Sequence, residues 1–432
     1  METEITQIEW LNSVLRSNAD SFVRMEEGNA YYNVENTAIL DRTKQIYTED
    51  GVKTDAFSTN AKLPSGFMPV IIEQKVNYSL NMNMVGVVKD KDLSDVLGAK
   101  WKGELVDRGR EAAINSFSVV QMYRENGKIK HKNIPSNQIA LCTNCDGDVT
   151  TVVRIYSELG TDGKTVKNAE IWAADTVTKF TQKSGSKWKC SVAEKPHSTI
   201  TASFGGTVES VVPYSWGRPP FAIFRNNSRY RTDLQPVKND IDAYDFTKSD
   251  FYNNLVDFQE VYWKLKNFDG QDLPEFRDMV DYYGAIKVGD DGDAEMITKE
   301  IPHEAKKAFL DLQKMDIVKN SMSVDTSQIS ANATATEIMA AYENMNLKAN
   351  SFEVEATRFI AQLLWFNDVK DDTDLFLTFD RSQIMNNLET STLANNSIGA
   401  ISEKTRLSND SRVTNVEEEM AQMALENTSS LV

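Results

Sequence analysis

Cysteine and histidine are scarce, three of each in 432 residues, and proline numbers only ten. Cys142, Cys145 and Cys190 are too few and too unevenly spread for a disulfide framework, so a reducing compartment is the simpler expectation. Cys142-Thr-Asn-Cys145 has metal-type spacing, but a closed zinc site wants four ligands and little remains to complete it. A strand-ending turn is favoured there, because Asn144, Asp146 and Gly147 are turn formers. Long hydrophobic runs are also missing. The densest, Phe359 to Phe366, contains Gln362 and falls well short of the roughly 18 residues that span a bilayer. The first residues show no basic and apolar signal-peptide pattern, so neither export nor a membrane partner is expected. Positive charge is in deficit: 47 Lys and Arg stand against 64 Asp and Glu, a net charge of −17. That argues against a surface built to grip phosphate backbones, while a channel that lets nucleic acid slide past is still allowed.

Catalytic signatures are absent or broken. Gly163-Lys164-Thr165 resembles the end of a phosphate-binding loop, but Glu158 occupies the first glycine position and strands flank the segment, as in a hairpin turn. His303-Glu304 begins like a zinc-protease helix, yet Lys307 stands where the second histidine belongs, so His303 reads as a helix start. A metal-dependent nuclease would have to rest on Asp290-Asp291-Gly292-Asp293 or on the acids from Asp368 to Asp374. Neither has the EF-hand register, and solvated turns are the simpler reading. No Gly-x-Ser-x-Gly elbow occurs. The chain is therefore expected to be no enzyme and to hold no cofactor.

What is present is a mixed pattern with 41% hydrophobic residues and length for about three domains. Ile8, Leu11, Leu15, Phe22 and Val23 predict a helix over 6–24 stopped by Gly28, and Met68 to Leu80 a second one opened by Pro69. From about Leu105 to Phe224 short β-branched and aromatic runs alternate with turn pairs, which predicts hairpins. These close at Asn126-Gly127, Gly160 to Gly163 and Ser184-Gly185. Beyond Pro219-Pro220 a helix is expected from near Asp233, with seven acids against two lysines between Asp233 and Tyr262. A compact interruption over 263–302 follows, and a helix resumes from about His303 to Ser321.

The strongest periodicity comes next. Ile338, Tyr342, Met345, Ala349, Phe352, Ala356, Phe359, Leu363 and Phe366 recur at spacings of four and three, which predicts one helix about 43 Å long. Thr334-Ala-Thr-Glu337 marks its start as a capping box. Core packing is the simpler reading of the stripe. A polar, small-residue loop from Asp325 to Ala333 precedes it, and short polar helices are expected over 384–432, with Glu417-Glu418-Glu419 in the first turn of the last.

The ordered run Pro219-Pro-Phe-Ala-Ile-Phe-Arg-Asn-Asn227, Asp233-Leu234 and Ile241-Asp-Ala-Tyr-Asp245 resembles the portal family of tailed bacteriophages, in the branch found in siphophages of Gram-positive hosts. The likeness continues through Leu265-Lys-Asn-Phe-Asp-Gly270, Ala285-Ile-Lys-Val288, the helix start from Asn332 to Met339, and Leu347-Lys-Ala349. Upstream, Tyr31-Tyr-Asn33, Ile39-Leu-Asp-Arg42 and Ile72-Glu-Gln-Lys-Val-Asn-Tyr78 are similar to the family's N-terminal landmarks.

The resemblance implies an α+β portal fold: a mixed wing over 1–232, a stem helix over 233–262, a clip over 263–302 and a second stem helix over 303–324. A tunnel loop over 325–336, a long wing helix with a return strand over 337–382 and a helical crown over 383–432 complete it. It further implies a ring of twelve copies at one capsid vertex, a channel for packaging, retaining and ejecting double-stranded DNA. The implied partners are a terminase ATPase, a head-tail adaptor, and the major capsid and scaffolding proteins. The implied location is the virion and, during assembly, the host cytoplasm. Thr326, Ser327, Gln328, Ser330, Asn332 and Thr334 would face DNA, and Phe268, Asp269, Glu275, Phe276 and Arg277 would face clip partners. Asp240, Asp245, Asp250 and Asp257 would form the acidic stem face. Where relatives often have glycines this chain has Ser330-Ala-Asn-Ala333. A connector or scaffold-like virion module is the alternative reading. The basic cluster Arg225, Arg229 and Arg231 is expected to hold a neighbour's carboxylates rather than DNA.

Overall fold

The computed structural model describes residues 2–48, 51–54, 59–125, 128–160, 163–204, 207–257, 262–266, 293–297, 302–330, 333–369, 374–381, 399–408 and 416–429. The chain divides into two compact units. The larger comprises residues 1–33, 66–236 and 318–432, and the smaller 34–65 and 237–317. All strand pairings among the described residues are antiparallel, and helices are segregated from sheets, as the α+β expectation requires.

The larger unit is organised on the long helix Ala335–Phe366. Its capping box is formed: Thr334 N–H donates to Glu337 Oε2 at 2.8 Å, while Glu337 N–H donates to the Thr334 hydroxyl at 3.3 Å. The predicted stripe is buried from Ile338 through Phe366 except at Leu363, which is half-exposed, and Ile360 and Leu364 are buried beside it. A 3.5-residue repeat drifts by about 20° per heptad on a straight helix, in keeping with a buried face that takes in Ile360 and Leu364 towards the end.

Against this helix lies a three-stranded sheet with Phe117–Glu125 between Phe221–Arg225 and Lys128–Ile134. Phe224 stacks on both Phe352 and Phe359, with ring centroids 5.2 and 5.4 Å apart. The outer strand Phe221–Arg225 would expose unpaired backbone, but Gln362 covers it. Its amide oxygen accepts from Ile223 N–H at 2.9 Å, and its amide nitrogen donates to the Ile223 carbonyl at 3.1 Å.

The predicted hairpin closing at Asn126-Gly127 joins two strands of the three-stranded sheet, and the other two lie in a five-stranded meander in the order Lys189–Pro196, Thr176–Lys183, Thr165–Trp172, Val149–Leu159, Ile139–Thr143. Successive side chains face opposite sides. Ala140, Val153, Ala169 and Phe180 pack with Leu11 and Val14, whereas Ile139, Val152, Trp172 and Val177 pack with Met25, Phe117 and Val119. Gly163-Lys164-Thr165 is a hairpin turn, with Gly163 at a φ of 72°.

Three boundaries differ from expectation. The N-terminal helix is two, Glu2–Ser17 and Ala19–Tyr32, and Gly28 lies inside the second rather than stopping it. Gly28 is there for close approach, since a β-carbon would sit 2.2 Å from the Ile114 carbonyl oxygen. The strand texture read from Leu105 begins only at Phe117, because Trp101–Asn115 is helical despite Gly103 and Gly109. The helix expected from Asp233 starts at Lys238, since Pro236 disfavours helical backbone at the residue before it.

In the smaller unit the helix Lys238–Asp257 carries Val237, Ile241, Asp245, Ser249 and Asn253 as one buried line at four-residue spacing, Val237 just preceding the helix. Segment 34–65 is fastened to it: Ser249 Oγ accepts from Leu63 N–H at 3.0 Å, and Asn253 Oδ1 from Ala61 N–H at 2.8 Å. The helix resumed after the interruption is His303–Asn320, with His303 its first residue.

Gly28→Ala should lower the urea midpoint by the equivalent of about 1–3 kcal/mol, the usual cost of overpacking, because backbone cannot step aside. Gly109→Ala meets the Leu80 and Phe352 side chains first, at 2.6 and 3.1 Å, and should cost less. Equal losses would contradict the close-approach account of Gly28.

Candidate functional site

The segment between the helices His303–Asn320 and Ala335–Phe366 is short, and its described residues are tethered at several points. The chain leaves the first helix through Met322, which adopts a left-handed φ of 56°. Gln74 then holds Val324 with both ends of its amide, donating to the carbonyl at 2.8 Å and accepting from the N–H at 3.0 Å. Asp325 caps the 3-10 turn Thr326–Gln328 by accepting from Ser327 N–H at 3.0 Å. Ile329 packs against the cluster of Val324, Ala333, Ile338, Tyr342 and Tyr78. Tyr78 stacks on Tyr342 and donates to Asn346 at 2.6 Å.

The predicted loop residues have different fates. Thr326, Ser327 and Ser330 are exposed. Gln328 lies in the 3-10 turn, and Asn332 lies outside the described residues. Thr334 is exposed, and its hydroxyl and N–H form the expected capping box at the helix start.

Beneath the loop is a buried charge network. Lys75, 2% exposed, donates to Asn226 Oδ1 and to Asp233 at 3.1 Å, and its ammonium sits 4.1 Å from the Phe352 ring centroid. Lys348 approaches the same Asp233 oxygen at 3.4 Å and donates to the Ser321 carbonyl at 2.9 Å. Asn226 donates to Asp233 Oδ1 at 3.0 Å and to the Arg231 carbonyl at 2.8 Å. Burial alone would raise the Asp233 carboxyl, but Lys348, Lys75 and Asn226 outweigh it and bring it down to about 2. Burial pushes the Lys75 ammonium down to about 8, only partly offset by Asp233. Two cations thus share one carboxylate, and the exit of the first helix is fastened to the long helix through Lys348.

The acidic stem face is corrected at Asp245. Its side chain is fully buried and accepts from Asn36 Nδ2, and burial raises its carboxyl above the usual range despite Asn36 and Ser65. Its place four residues from Ile241 and from Ser249 is the sequence signal that marks it as inward. Asp250 is paired with Arg42 at 2.9 Å, Asp240 is half-buried, and Asp257 is the last helical residue. Phe268, Asp269, Glu275, Phe276 and Arg277 lie outside the described residues. The strands Tyr262–Lys266 and Asp293–Ile297 pair on either side of them.

The basic cluster is also redistributed. Arg225 is engaged within its own chain, donating to Glu355 at 2.8 Å, while Arg229 and Arg231 are exposed. Cys142 lies one residue before the end of the strand Ile139–Thr143, and Asn144 Oδ1 accepts from the N–H groups of Asp146 and Asp148, which builds the expected turn. Asp290 and Asp291 lie outside the described residues. No helix among the described residues is long and apolar enough to cross a membrane.

A family model described as "Phage portal protein, SPP1 Gp6-like" matches residues 12–430. The chain is 26% identical to a portal protein of Bacillus phage SPP1 across 92% of this chain and 82% of that one. It is 23% identical to a portal protein of Clostridium phage phiCD119, covering 95% and 94% respectively. Two solved structures align at a TM-score of 0.44 and 11% identity, over 79% of this chain and 88% and 89% of theirs. They are described as the neck of a native gene transfer agent particle and the virion of that particle.

Asp233→Asn should destabilise the protein by about 3–5 kcal/mol, since it leaves the buried Lys75 ammonium without a carboxylate, whereas Lys75→Met should cost less because Lys348 still pairs with Asp233, and the double variant should lose less than their sum. The Asp233 contribution is present above pH 3.8, the ordinary carboxyl value, and is lost as pH falls through about 2. The acid limb of a stability–pH curve should therefore flatten in Asp233→Asn. Additive losses, or an unchanged acid limb, would contradict the network.

Proposed function

The chain belongs to the phage portal protein family, SPP1 Gp6-like, a structural family of the virion, and from that membership we propose how its parts serve a DNA channel. Copies close into a ring, expected to number twelve, at one capsid vertex. Double-stranded DNA passes through the hole during packaging, is retained there and later leaves. The helices Lys238–Asp257 and His303–Asn320 form the stem, and residues 263–302 the clip. The clip meets a terminase ATPase during filling and a head-tail adaptor afterwards. The long helix runs across the wing, and residues beyond 383 form a crown inside the capsid. Capsid and scaffolding proteins flank the ring as it assembles in the host cytoplasm.

The observation that carries this reading is the anchored loop. Its base is fixed by Gln74, Ile329 and the Lys348 contact to Ser321, while Thr326, Ser327 and Ser330 are small, uncharged and exposed. Hydroxyls touch phosphate oxygens without releasing counterions, so contact is weak and depends little on salt. A moving polyanion needs contact of that kind, because a lysine-lined constriction would hold it. With Asp245 buried and Asp250 paired, the stem helix repels DNA less than its acid count suggests. Weak loop contact then matters more than repulsion by the wall.

Ser330→Lys combined with Asn332→Lys should leave rings intact in electron micrographs and reduce nuclease-protected DNA per capsid severalfold. Wild-type filling in that variant would remove the loop from the DNA path.

A further inference from the structure

One cleft of the larger unit, about 910 Å³, takes no part in the loop or its anchor. It opens between the turn Asp146–Asp148 and the last turns of the long helix, and Arg218, Arg225 and Arg358 line it with Trp365 and Tyr230. Arg225 and Arg358 share a single carboxylate, that of Glu355, at 2.8 and 2.7 Å. Glu355 is buried, so the two guanidiniums are neutralised by only one charge between them.

Arg218 is different. Its guanidinium lies over the Trp365 ring, 4.3 Å from the centroid, and among the described residues it has no hydrogen-bond acceptor and no carboxylate within ion-pair distance. Asp148, at the exposed rim, acts on it only through space. Half-burial without a partner lowers its affinity for the proton, the mark of a cation partly stripped of water and left uncompensated. Guanidinium carries five donors in a fixed fork, suited to a carboxylate approaching in its plane while the face stays on the indole.

The occupant follows from charge. Each copy carries −17, so identical copies repel unless their contact places one copy's acids against basic groups of the next. Asp146 and Asp148 share the lining and Glu355 holds Arg225, so what the cleft offers an incoming carboxylate is the fork of Arg218, unpartnered among the described residues, and the exposed Arg358. We propose that it is the socket for a carboxylate-bearing segment of a second copy, a heterologous contact of the kind that closes rings, with Arg218 and Arg358 as its charge-pairing residues. The proposal rests on the ring reading above and adds which surface makes the contact.

Zero-length carbodiimide coupling of full-length protein tests it. Arg218→Lys and Arg358→Lys keep the charge and supply an amine that couples to whichever carboxylate it meets. Copies with light and heavy nitrogen are mixed before assembly. Expected are peptides joining position 218 or 358 of one isotope to an acidic residue of the other. Couplings confined to one isotope, to Asp148 or to another segment of the same chain, would overturn the proposal. As a second arm, Arg218→Glu with Arg358→Glu should raise the concentration for half-assembly by at least about tenfold in mass photometry, with the wild-type circular dichroism spectrum retained. Rings of this variant that assemble like wild type would sink the socket and leave the ring reading intact. Wild-type protein that never forms rings would sink both.

Discussion

A charge taken out of water must be matched by another, and Lys75, Asp233 and Lys348 satisfy that requirement at the centre of the larger unit. Their geometry ties four pieces of chain that are remote in sequence. Lys75 comes from the helix Phe67–Ser79, Asp233 from the turn after the outer strand, Lys348 from the long helix, and Ser321 from the exit of the helix before the loop. An apolar substitute could fill the same volume, but it would not fix Ser321 against Lys348. The network therefore sets where the loop begins, and the capping box at Thr334 sets where it ends.

Backbone edges are handled in a second way. Gln74 and Gln362 each present both ends of an amide to one residue's N–H and carbonyl, Val324 in one case and Ile223 in the other. Each works like one rung of a sheet supplied by a side chain, satisfying exposed backbone without adding a strand. Gln362 and the stacking of Phe224 on Phe352 and Phe359 register the sheet to the long helix, while Gln74 fastens the loop to the helix Phe67–Ser79. Exposed hydroxyls on such a base are held in place without being held to a ligand.

Features written in local patterns are legible in the sequence. The capping box and the stripe of the long helix are read directly, and the hairpins announce themselves by their turn pairs. Where tertiary packing overrides propensity, the reading fails. Gly103 and Gly109 weaken the apparent helix at Trp101–Asn115, yet Gly109 is what lets Leu80 and Phe352 approach. Gly28 looks like a stop because its contact with Ile114 lies far along the chain. Pairings such as Lys75 with Asp233 have no period to reveal them. Asp245 is an intermediate case: its acid suggests solvent, whereas its spacing from Ile241 and Ser249 gives its true direction. The loop's candidate residues are legible as a polar interruption, and Thr334 is legible also as the cap of the helix that follows.

The central claim is that a rigidly based loop meets the passing polyanion through small uncharged side chains. The most direct measurement is a single-particle reconstruction of the assembled ring with DNA in its channel. The account predicts Thr326, Ser327 and Ser330 as the groups that meet the DNA backbone at the narrowest point, with the Lys75 network behind them. Finding residues 325–333 on the outer rim, away from the axis, would contradict it.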